Sequence, residues 1–359
     1  MRAILTSPRF LYLTEYASHP AGRKLDGYEL ASRLSYFLWS SMPDEELRAA
    51  AASGRLETSF GLRAQVERML KNPRALAFSK NFTEQWLRLR KLGEMPPDPE
   101  KNRAYYADNI ENAMREETRL YFQHVLSQNR SVLEFIDSDY TFLNASLARH
   151  YNIPNIAHEE FQRVNLQPEH HRGGLLGHGS ILTATSNGVE TQPVLRGVWI
   201  LENLLGTPPN PPPPDVELIE PDTRGVTTIR QQMERHRSNA TCFECHRKID
   251  PLGLCMEHYD FLGRWRDRYA KRLPIDATGK MPDGTVINGS SGIRSYLKQK
   301  PDQFTRCLTE KLFIYALGRR LSFTDRDDID RIVAAMPNHR YGLRELIQRI
   351  VASEPFHSK

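Results

Sequence analysis

Gly27 to Trp39 reads GYELASRLSYFLW, and this stretch decides the fold class because its apolar side chains recur at the spacing of one helix face. Met42-Pro43-Asp44-Glu45 then ends this helix and begins the next one with acidic residues in its first turn. Similar helical patterns follow at residues 62–70, 75–92 and 109–126, with breaks at Asn72-Pro73 and at 95–99. The sequence therefore predicts a mainly α protein that includes a helical domain at residues 25–156.

Large aromatic side chains fall on the apolar faces of these predicted helices. Side chains of this kind are found in protein cores far more often than at ligand sites. We therefore expect six aromatic residues to be part of the core: Trp39, Phe78, Phe82, Trp86, Tyr121 and Phe122.

The composition is typical of a globular chain and excludes several function classes. The 359 residues are 39% hydrophobic and 26% charged, which allows about two or three domains. The net charge is 49 − 44 = +5, and basic and acidic residues are interspersed, so we expect no nucleic-acid partner. No run approaches the roughly 18 uninterrupted apolar residues of a membrane span, so no transmembrane segment is predicted.

The segment Cys242-Phe243-Glu244-Cys245-His246 specifies a particular chemistry. Two thiols three positions apart can add to the two vinyl groups of one haem, and the imidazole after the second thiol can coordinate the iron. Cys242 and Cys245 are therefore the predicted thioether positions, and His246 is the predicted proximal iron ligand. We expect the other ring nitrogen of His246 to donate to a backbone carbonyl or a carboxylate, which would fix the orientation of the ring.

A zinc site is the alternative interpretation of the same cysteines. They are part of the ligand pattern C-x2-C-x9-C-x2-H, which consists of Cys242, Cys245, Cys255 and His258. A tetrahedral structural zinc could accept this pattern. A redox-active or structural thiol pair is a third interpretation. With haem bound, Cys255 and Cys307 are expected to be buried free thiols, since four cysteines are too few for a disulfide scaffold.

The character of the sequence changes after Tyr151. The glycine-dense segment 173–180 lacks the lysine of a phosphate-binding loop, so we expect a turn and a close approach of helices there. A helix is predicted at 194–205, because apolar residues recur along it. A Pro-rich connector at 207–214 and a short polar helix at 227–237 lead from there to the cysteine motif.

These patterns predict the domain organisation. A haem c-binding domain is expected at residues 157–288, with a small β-hairpin near its end at 278–289. A C-terminal helical module is expected at residues 289–359.

Several segments resemble the large multidomain cytochrome-c-like proteins typical of planctomycetes, and the resemblance covers nearly the whole chain. In the first half it is carried by residues 32–44, SRLSYFLWSSMPD, and by residues 139–144, DYTFLN. In the second half it is carried by residues 196–199 and 205–209, by the cysteine motif with Ile249-Asp250-Pro251-Leu252-Gly253, and by Tyr315-Ala316-Leu317-Gly318-Arg319. The last two segments are similar to two successive C-terminal modules of that family, whose functions are unknown.

The resemblance implies export, because members of the family are exported and thioether attachment of haem takes place outside the cytoplasm. It also implies that residues 1–24 are the tail of a preceding module and that an upstream portion carries the export signal. The expected location is therefore periplasmic or otherwise exported. The family pattern has apolar or amide residues where this chain has Cys255 and His258, which makes these two residues local variation and weakens the zinc interpretation.

Two residues are candidates for the sixth iron ligand. Met281 lies 35 residues beyond His246 and precedes Pro282, which resembles the Met-Pro pair on the distal side of small c-type cytochromes. A thioether ligand would raise the reduction potential. The family frequently has leucine at this position, so an open sixth site competes with Met281. His236 fits the family pattern and is the rival ligand.

The expected function is electron transfer by an exported c-type haem protein within a longer polypeptide, with a redox partner protein or an upstream haem module as its partner. Five basic residues at 264–272 could steer an acidic partner or meet the haem propionates. One alternative is a haem-dependent oxidase or peroxidase acting on an exported polymer, and another is a zinc-stabilised structural or binding module. No paired-carboxylate or Ser-His-Asp arrangement stands out, so the sequence does not decide whether the chain is an enzyme.

Overall fold

The computed structural model describes residues 5–7, 23–210, 228–236, 240–269 and 273–358, without the side chains of residues 232, 234–236 and 240–242. Within this part the protein is mainly α, with sixteen α-helices and two antiparallel two-stranded sheets, as the sequence predicts. Most of the predicted tail at 1–24, and the prolines at 211–214 of the predicted connector, lie outside the described residues. Across the described ranges, no helix is both long and apolar enough to cross a membrane.

The elements up to residue 165 are mostly helical. The helices are α1 (Gly27–Trp39), α2 (Glu45–Ala52), α3 (Ser59–Lys71), α4 (Leu76–Trp86), α5 (Arg103–Ala107), α6 (Ile110–Ser127) and α7 (Ala145–His150). The first sheet pairs β1 (Tyr140–Leu143) with β2 (Gln162–Asn165).

The later elements begin with α8 (Gly179–Ala184) and α9 (Pro193–Asn203). The cysteine motif lies on α11 (Ala240–Leu254), which follows α10 (Ile229–His236). The second sheet pairs β3 (Thr278–Lys280) with β4 (Val286–Asn288), which confirms the predicted hairpin. The remaining helices are α12 (Gly289–Lys298), α13 (Pro301–Leu317), α14 (Arg326–Ala335), α15 (Leu343–Val351) and α16 (Glu354–His357).

Helix α1 has the predicted bounds because its first turn is well capped. The Asp26 carboxylate accepts hydrogen bonds from the backbone N–H groups of Tyr28 and Glu29 at 2.9 and 2.8 Å. The Glu29 carboxylate in turn accepts from the backbone N–H of Asp26 at 3.0 Å, which completes a capping box. Asp44 is the N-cap of α2, and its side chain accepts from the Leu47 N–H at 2.9 Å.

The described residues form two compact units. The first unit contains residues up to 79 and from 309 onward, so the beginning and the end of the sequence fold together. The Arg33 guanidinium is buried there and donates to the carbonyls of Phe356 at 2.8 Å and Ser358 at 2.9 Å. The Phe37 ring lies 5.3 Å from Phe78 and 6.0 Å from Phe356 between ring centroids, which makes these three rings part of one core.

The second unit contains residues 80–308 and has its own aromatic core. Phe82 stacks on Trp86 with 5.5 Å between ring centroids, and Phe122 stacks on Phe135 at 5.6 Å. All six aromatic residues predicted to be core are buried, four of them in this unit and Trp39 and Phe78 in the first.

The glycine-dense segment 173–180 forms the expected turn and close approach. Gly174 has φ +58°, and a Cβ atom at this position would lie only 2.3 Å from the carbonyl oxygen of Ile136. A Cβ atom at Gly179 would lie 2.5 Å from the Tyr151 hydroxyl. Glycine is required at both positions because any side chain would displace backbone or buried groups.

A buried polar network lies in the second unit, where α6 meets the chain that follows α7. The Glu117 carboxylate accepts hydrogen bonds from the Tyr151 hydroxyl at 2.6 Å and from the Thr141 hydroxyl at 2.7 Å. The Arg172 guanidinium lies over the Tyr151 ring, 3.3 Å from its centroid. Burial raises the pKa of Glu117 to about 7, although Arg172 and the two hydrogen bonds act in the opposite direction.

Candidate haem site

The predicted attachment residues lie near the beginning of α11. The backbone of Cys242 is helical and lies one turn before Cys245 and His246, while its side chain is outside the described part. Cys245 is a free, partly exposed thiol. Phe243 between the two cysteines is 47% exposed. The helix thus presents a partly exposed thiol and an apolar ring at the protein surface.

The second ring nitrogen of His246 is held by a carboxylate. His246 Nδ1 lies 2.8 Å from Asp250 Oδ1, one helical turn further along α11. The His246 side chain is 13% exposed, and the Asp250 side chain is fully buried. With the proton on Nδ1, as a hydrogen bond to this carboxylate requires, Nε2 is the ring nitrogen suited to coordinate a metal ion. Asp250 was not predicted to be the partner of His246, although the i to i+4 spacing was the signal that could have found it.

Two glycines bring α9 and α11 into direct backbone contact. A Cβ atom at Gly197 would lie 2.2 Å from the carbonyl oxygen of Ile249, and one at Gly253 would lie 1.9 Å from that of Pro193. The helices can cross this closely only because neither glycine carries a side chain. The crossing fixes the position of α11, and with it the position of His246.

The β3–β4 hairpin packs against the opposite end of α11 through Gly279. A Cβ atom at Gly279 would lie 2.6 Å from the Pro251 carbonyl oxygen. The Cys255 thiol donates to the carbonyl oxygen of Ile287 on β4, with 3.6 Å between sulfur and oxygen. Met281 is 5% exposed in the turn between the strands, and its backbone N–H donates to the Thr285 carbonyl at 2.8 Å. The candidate sixth ligand is therefore buried on an element that contacts the His246 helix.

The chain after α11 is fixed by a buried arginine and a buried glutamate. Arg196 on α9 donates to the carbonyls of Met256 at 2.9 Å and Tyr259 at 2.8 Å. Burial lowers the pKa of Arg196 to about 10. The Glu257 carboxylate accepts from the Thr191 hydroxyl at 3.0 Å and the Arg266 guanidinium at 3.1 Å. These contacts hold the end of α11 against the beginning of α9.

The residues of the alternative zinc set make other contacts. Cys255 is a buried free thiol, as is Cys307, which confirms that prediction. Burial raises the pKa of Cys255 to about 12, so the thiol keeps its proton at neutral pH. His258 Nδ1 lies 2.9 Å from the Arg266 carbonyl oxygen, and its ring stacks on Trp265.

The described side chains include no group of three or more His, Cys, Asp or Glu that could hold a metal ion, so Cys245, Cys255 and His258 are not brought together. The side chain of His236, the rival sixth ligand, lies outside the described part. Of the basic residues at 264–272, Arg264 pairs with Asp260 and Arg266 pairs with Glu257. Residues 270–272 are not described.

Three family models match consecutive parts of the chain. Residues 25–153 match a family described as a protein of unknown function (DUF1592), residues 172–269 match one described in the same words (DUF1588), and residues 283–356 match a third (DUF1585). The cysteine motif and α11 fall within the second match. No curated protein and no solved structure matches the chain.

Proposed function

The chain belongs to the planctomycete-type multidomain cytochrome-c-like proteins, with three consecutive modules of that arrangement, and on this premise we propose that it is an exported c-type haem protein that transfers electrons. Cys242 and Cys245 are the proposed thioether positions, and His246 is the proposed proximal ligand. The partner is a redox protein or an upstream haem module.

The contact between His246 and Asp250 carries this proposal. A metal-ligating histidine usually donates its other ring N–H to a carboxylate or carbonyl, which orients the ring and makes it a stronger ligand. Asp250 is buried and lies 2.8 Å from His246 Nδ1, and both residues are part of one rigid helix. An ordinary surface histidine does not need a fully buried carboxylate at this distance. The arrangement therefore fits a ligand better than it fits a solvated side chain.

The other residues of α11 suit covalent attachment and electron transfer. Cys245 is accessible as a free thiol, and the exposed Phe243 offers an apolar surface beside it. A haem held there would supply a one-electron iron couple. The α9–α11 crossing keeps the ligand in one place, which favours electron transfer because the surroundings of the iron then change little between oxidation states.

Covalent attachment is the first test. The protein is produced in a host with haem-attachment machinery, and a pyridine haemochrome spectrum and a haem stain on a denaturing gel are recorded. The double variant Cys242→Ala, Cys245→Ala should lose the covalent stain, whereas Cys255→Ala, the matched removal of a buried thiol on the same module, should keep it. Stoichiometric zinc in place of haem, or loss of stain in Cys255→Ala, would overturn the proposal.

The sixth position separates an electron carrier from an enzyme. With Met281 as ligand, the oxidised protein should be low spin with the weak sulfur-to-iron band in the far red, and Met281→Ala should remove that band. A low-spin spectrum that is lost on His236→Ala would assign the site to two histidines and a lower potential. A high-spin protein that reacts with peroxide, unchanged by Met281→Ala, would favour the oxidase or peroxidase alternative.

A further inference from the structure

A wide cleft of about 970 Å³ lies in the second unit, mostly within the segment 25–153 that the first family model matches, and the haem proposal does not use it. Its walls are formed by the second half of α4, by the first half of α6 with the residues just before it, and by α7. Glu159 and Phe161, which precede β2, complete the rim. The volume is that of a site for a ligand of several rings.

The charges on the walls of this cleft balance one another. Four basic and four acidic side chains line it. Arg119 Nε donates to Glu116 Oε2 at 2.8 Å, and Arg149 Nη2 lies 3.2 Å from Asp108 Oδ2. The Arg115 guanidinium donates through Nη1 to the Leu89 carbonyl at 2.7 Å. The lining has no net charge, and a charged ligand at either of these two ion pairs would have to separate it, so these walls favour a neutral ligand.

Amide and hydroxyl groups line the cleft between these pairs. Asn112 Nδ2 donates to Asn109 Oδ1 at 2.8 Å, and within the described contacts this leaves Asn112 Oδ1 as an acceptor and Asn109 Nδ2 as a donor. Asn144 Oδ1 caps α7 through the Leu147 N–H at 3.0 Å, and its amide nitrogen is still a donor. Ser146 adds a hydroxyl to the same wall.

We propose that this cleft binds an uncharged, polyhydroxylated chain, that is, a neutral oligosaccharide segment. A sugar hydroxyl both donates and accepts, so it can bridge a carboxylate and a guanidinium, or two amides, without separating the ion pairs. Phe161 is partly buried against the neighbouring core and lines the rim, where its aromatic ring offers an apolar surface for the C–H groups of a sugar. The cleft is open at the surface, which suits a segment of a polymer.

The test uses the whole chain and isothermal titration with linear hexasaccharides. Cellohexaose, xylohexaose and mannohexaose are the neutral probes, and hexagalacturonate is the charged one. We expect at least one neutral probe to bind with an affinity that changes little between low and high salt. Asn112→Ala and Arg149→Ala should each weaken that binding about fivefold or more, as expected for the loss of a hydrogen bond.

Arg103→Ala is the matched control, because Arg103 is an exposed arginine on the neighbouring helix α5 and is not part of the cleft. It should bind like the wild type. Circular dichroism and the thermal transition establish that each variant is folded. The proposal is overturned when no neutral probe binds, when hexagalacturonate binds instead with a steep salt dependence, or when Asn112→Ala and Arg149→Ala both bind like the wild type.

Discussion

Asp250 orients His246, the proposed iron ligand, because its Oδ1 lies 2.8 Å from Nδ1 and accepts a hydrogen bond from it. With haem attached, Asp250→Asn removes the negative charge but keeps the shape of the side chain. The imidazole becomes a weaker donor, which stabilises ferrous over ferric iron, so we expect a higher midpoint potential and an unchanged covalent haem stain. Potentiometric titration followed by visible absorbance measures the potential.

Glu244→Gln is the matched control for this prediction. It removes one carboxylate from the same helix, but Glu244 is exposed and pairs with Arg247 rather than with His246. Solvent screens its charge, so its effect on the potential should be clearly smaller. Equal shifts in the two variants would mean that net charge, rather than the hydrogen bond to His246, sets the potential.

Glu117 gives a prediction for the pH dependence of stability. Its pKa is raised from an ordinary value of 4.5 to about 7 by burial, so the folded protein keeps a proton that the unfolded chain releases. The stabilisation is fully present below pH 4.5 and is lost as the pH rises through about 7. Glu117→Gln imitates the protonated acid, so above pH 7 it should be more stable than the wild type by an amount on the order of 3 kcal/mol.

Urea unfolding of the wild type and Glu117→Gln at several pH values measures this difference. The free energies of unfolding should converge toward pH 4.5 and separate toward pH 8, since all other titrating groups are shared. Glu116→Gln, on the same helix but partly exposed and paired with Arg119, should not reproduce the separation. A constant difference at every pH would mean that the pKa of Glu117 is the same in the folded and the unfolded protein.

Sequence alone predicts the residues of the candidate haem site but does not identify the residues that contact them. The cysteine motif can be recognised from its spacing. The helix that carries it places Asp250 one turn from His246. The partners of Glu117 could not be predicted, because Thr141, Tyr151 and Arg172 come from three different segments and converge only through tertiary packing.

At the scale of elements, the crossing of α9 and α11 fixes the candidate haem site. Gly253→Ala would place a Cβ atom 1.9 Å from the Pro193 carbonyl oxygen, and a backbone atom cannot move aside as a flexible side chain can. The helices would have to separate, so we expect a loss of about 3 kcal/mol in the free energy of unfolding. Covalent haem attachment should fall with it, because α11 would no longer be held in place.

Gly292→Ala is the control for this substitution, because Gly292 is also helical but its Cβ atom would lie no closer than 3.2 Å to a neighbour. Alanine also favours the helix, so this variant should remain within about 1 kcal/mol of the wild type. Thermal unfolding and haem stain are measured for both variants. Similar stability in the two would show that the helices can separate at little cost.

The helices were largely predictable, and the exceptions have physical causes. The bounds of α1 agree with the prediction because capping residues mark its start. The helix predicted at 75–92 ends at Trp86, because Arg88 adopts a left-handed conformation with φ +57°. The sheet of β1 and β2 was not predicted, since each strand has only four residues and its partner lies beyond α7 in the sequence.

At the scale of the whole molecule, the first unit joins two ends of the sequence. Leu25 N–H donates to the His357 carbonyl at 2.8 Å, and Gln348 donates to the Arg63 carbonyl at 3.2 Å. Local periodicity predicts each helix but carries no information about which distant helix it will contact. The boundaries predicted at residues 156 and 288 remain predictions, and the pairing of the ends could be found only in three dimensions.

This pairing predicts that α1 depends on the last residues of the sequence. Removal of residues 353–359 deletes α16, the buried Phe356 ring, and the carbonyls to which Arg33 donates at 2.8 and 2.9 Å. The truncation leaves a buried guanidinium without its acceptors and uncovers an aromatic core. Together these losses should lower the free energy of unfolding by several kcal/mol, roughly the whole stability of a small unit. Hydrogen exchange followed by mass spectrometry should then show fast exchange of the α1 amides.

The intact chain with Phe356→Ala is the matched comparison, because it removes the ring and keeps the carbonyl acceptors of Arg33. Its α1 amides should exchange at a rate between those of the wild type and the truncated chain. The amides of α6, which lies in the second unit, should exchange equally slowly in all three proteins. Slow exchange of α1 in the truncated chain would mean that this helix does not depend on residues 353–359.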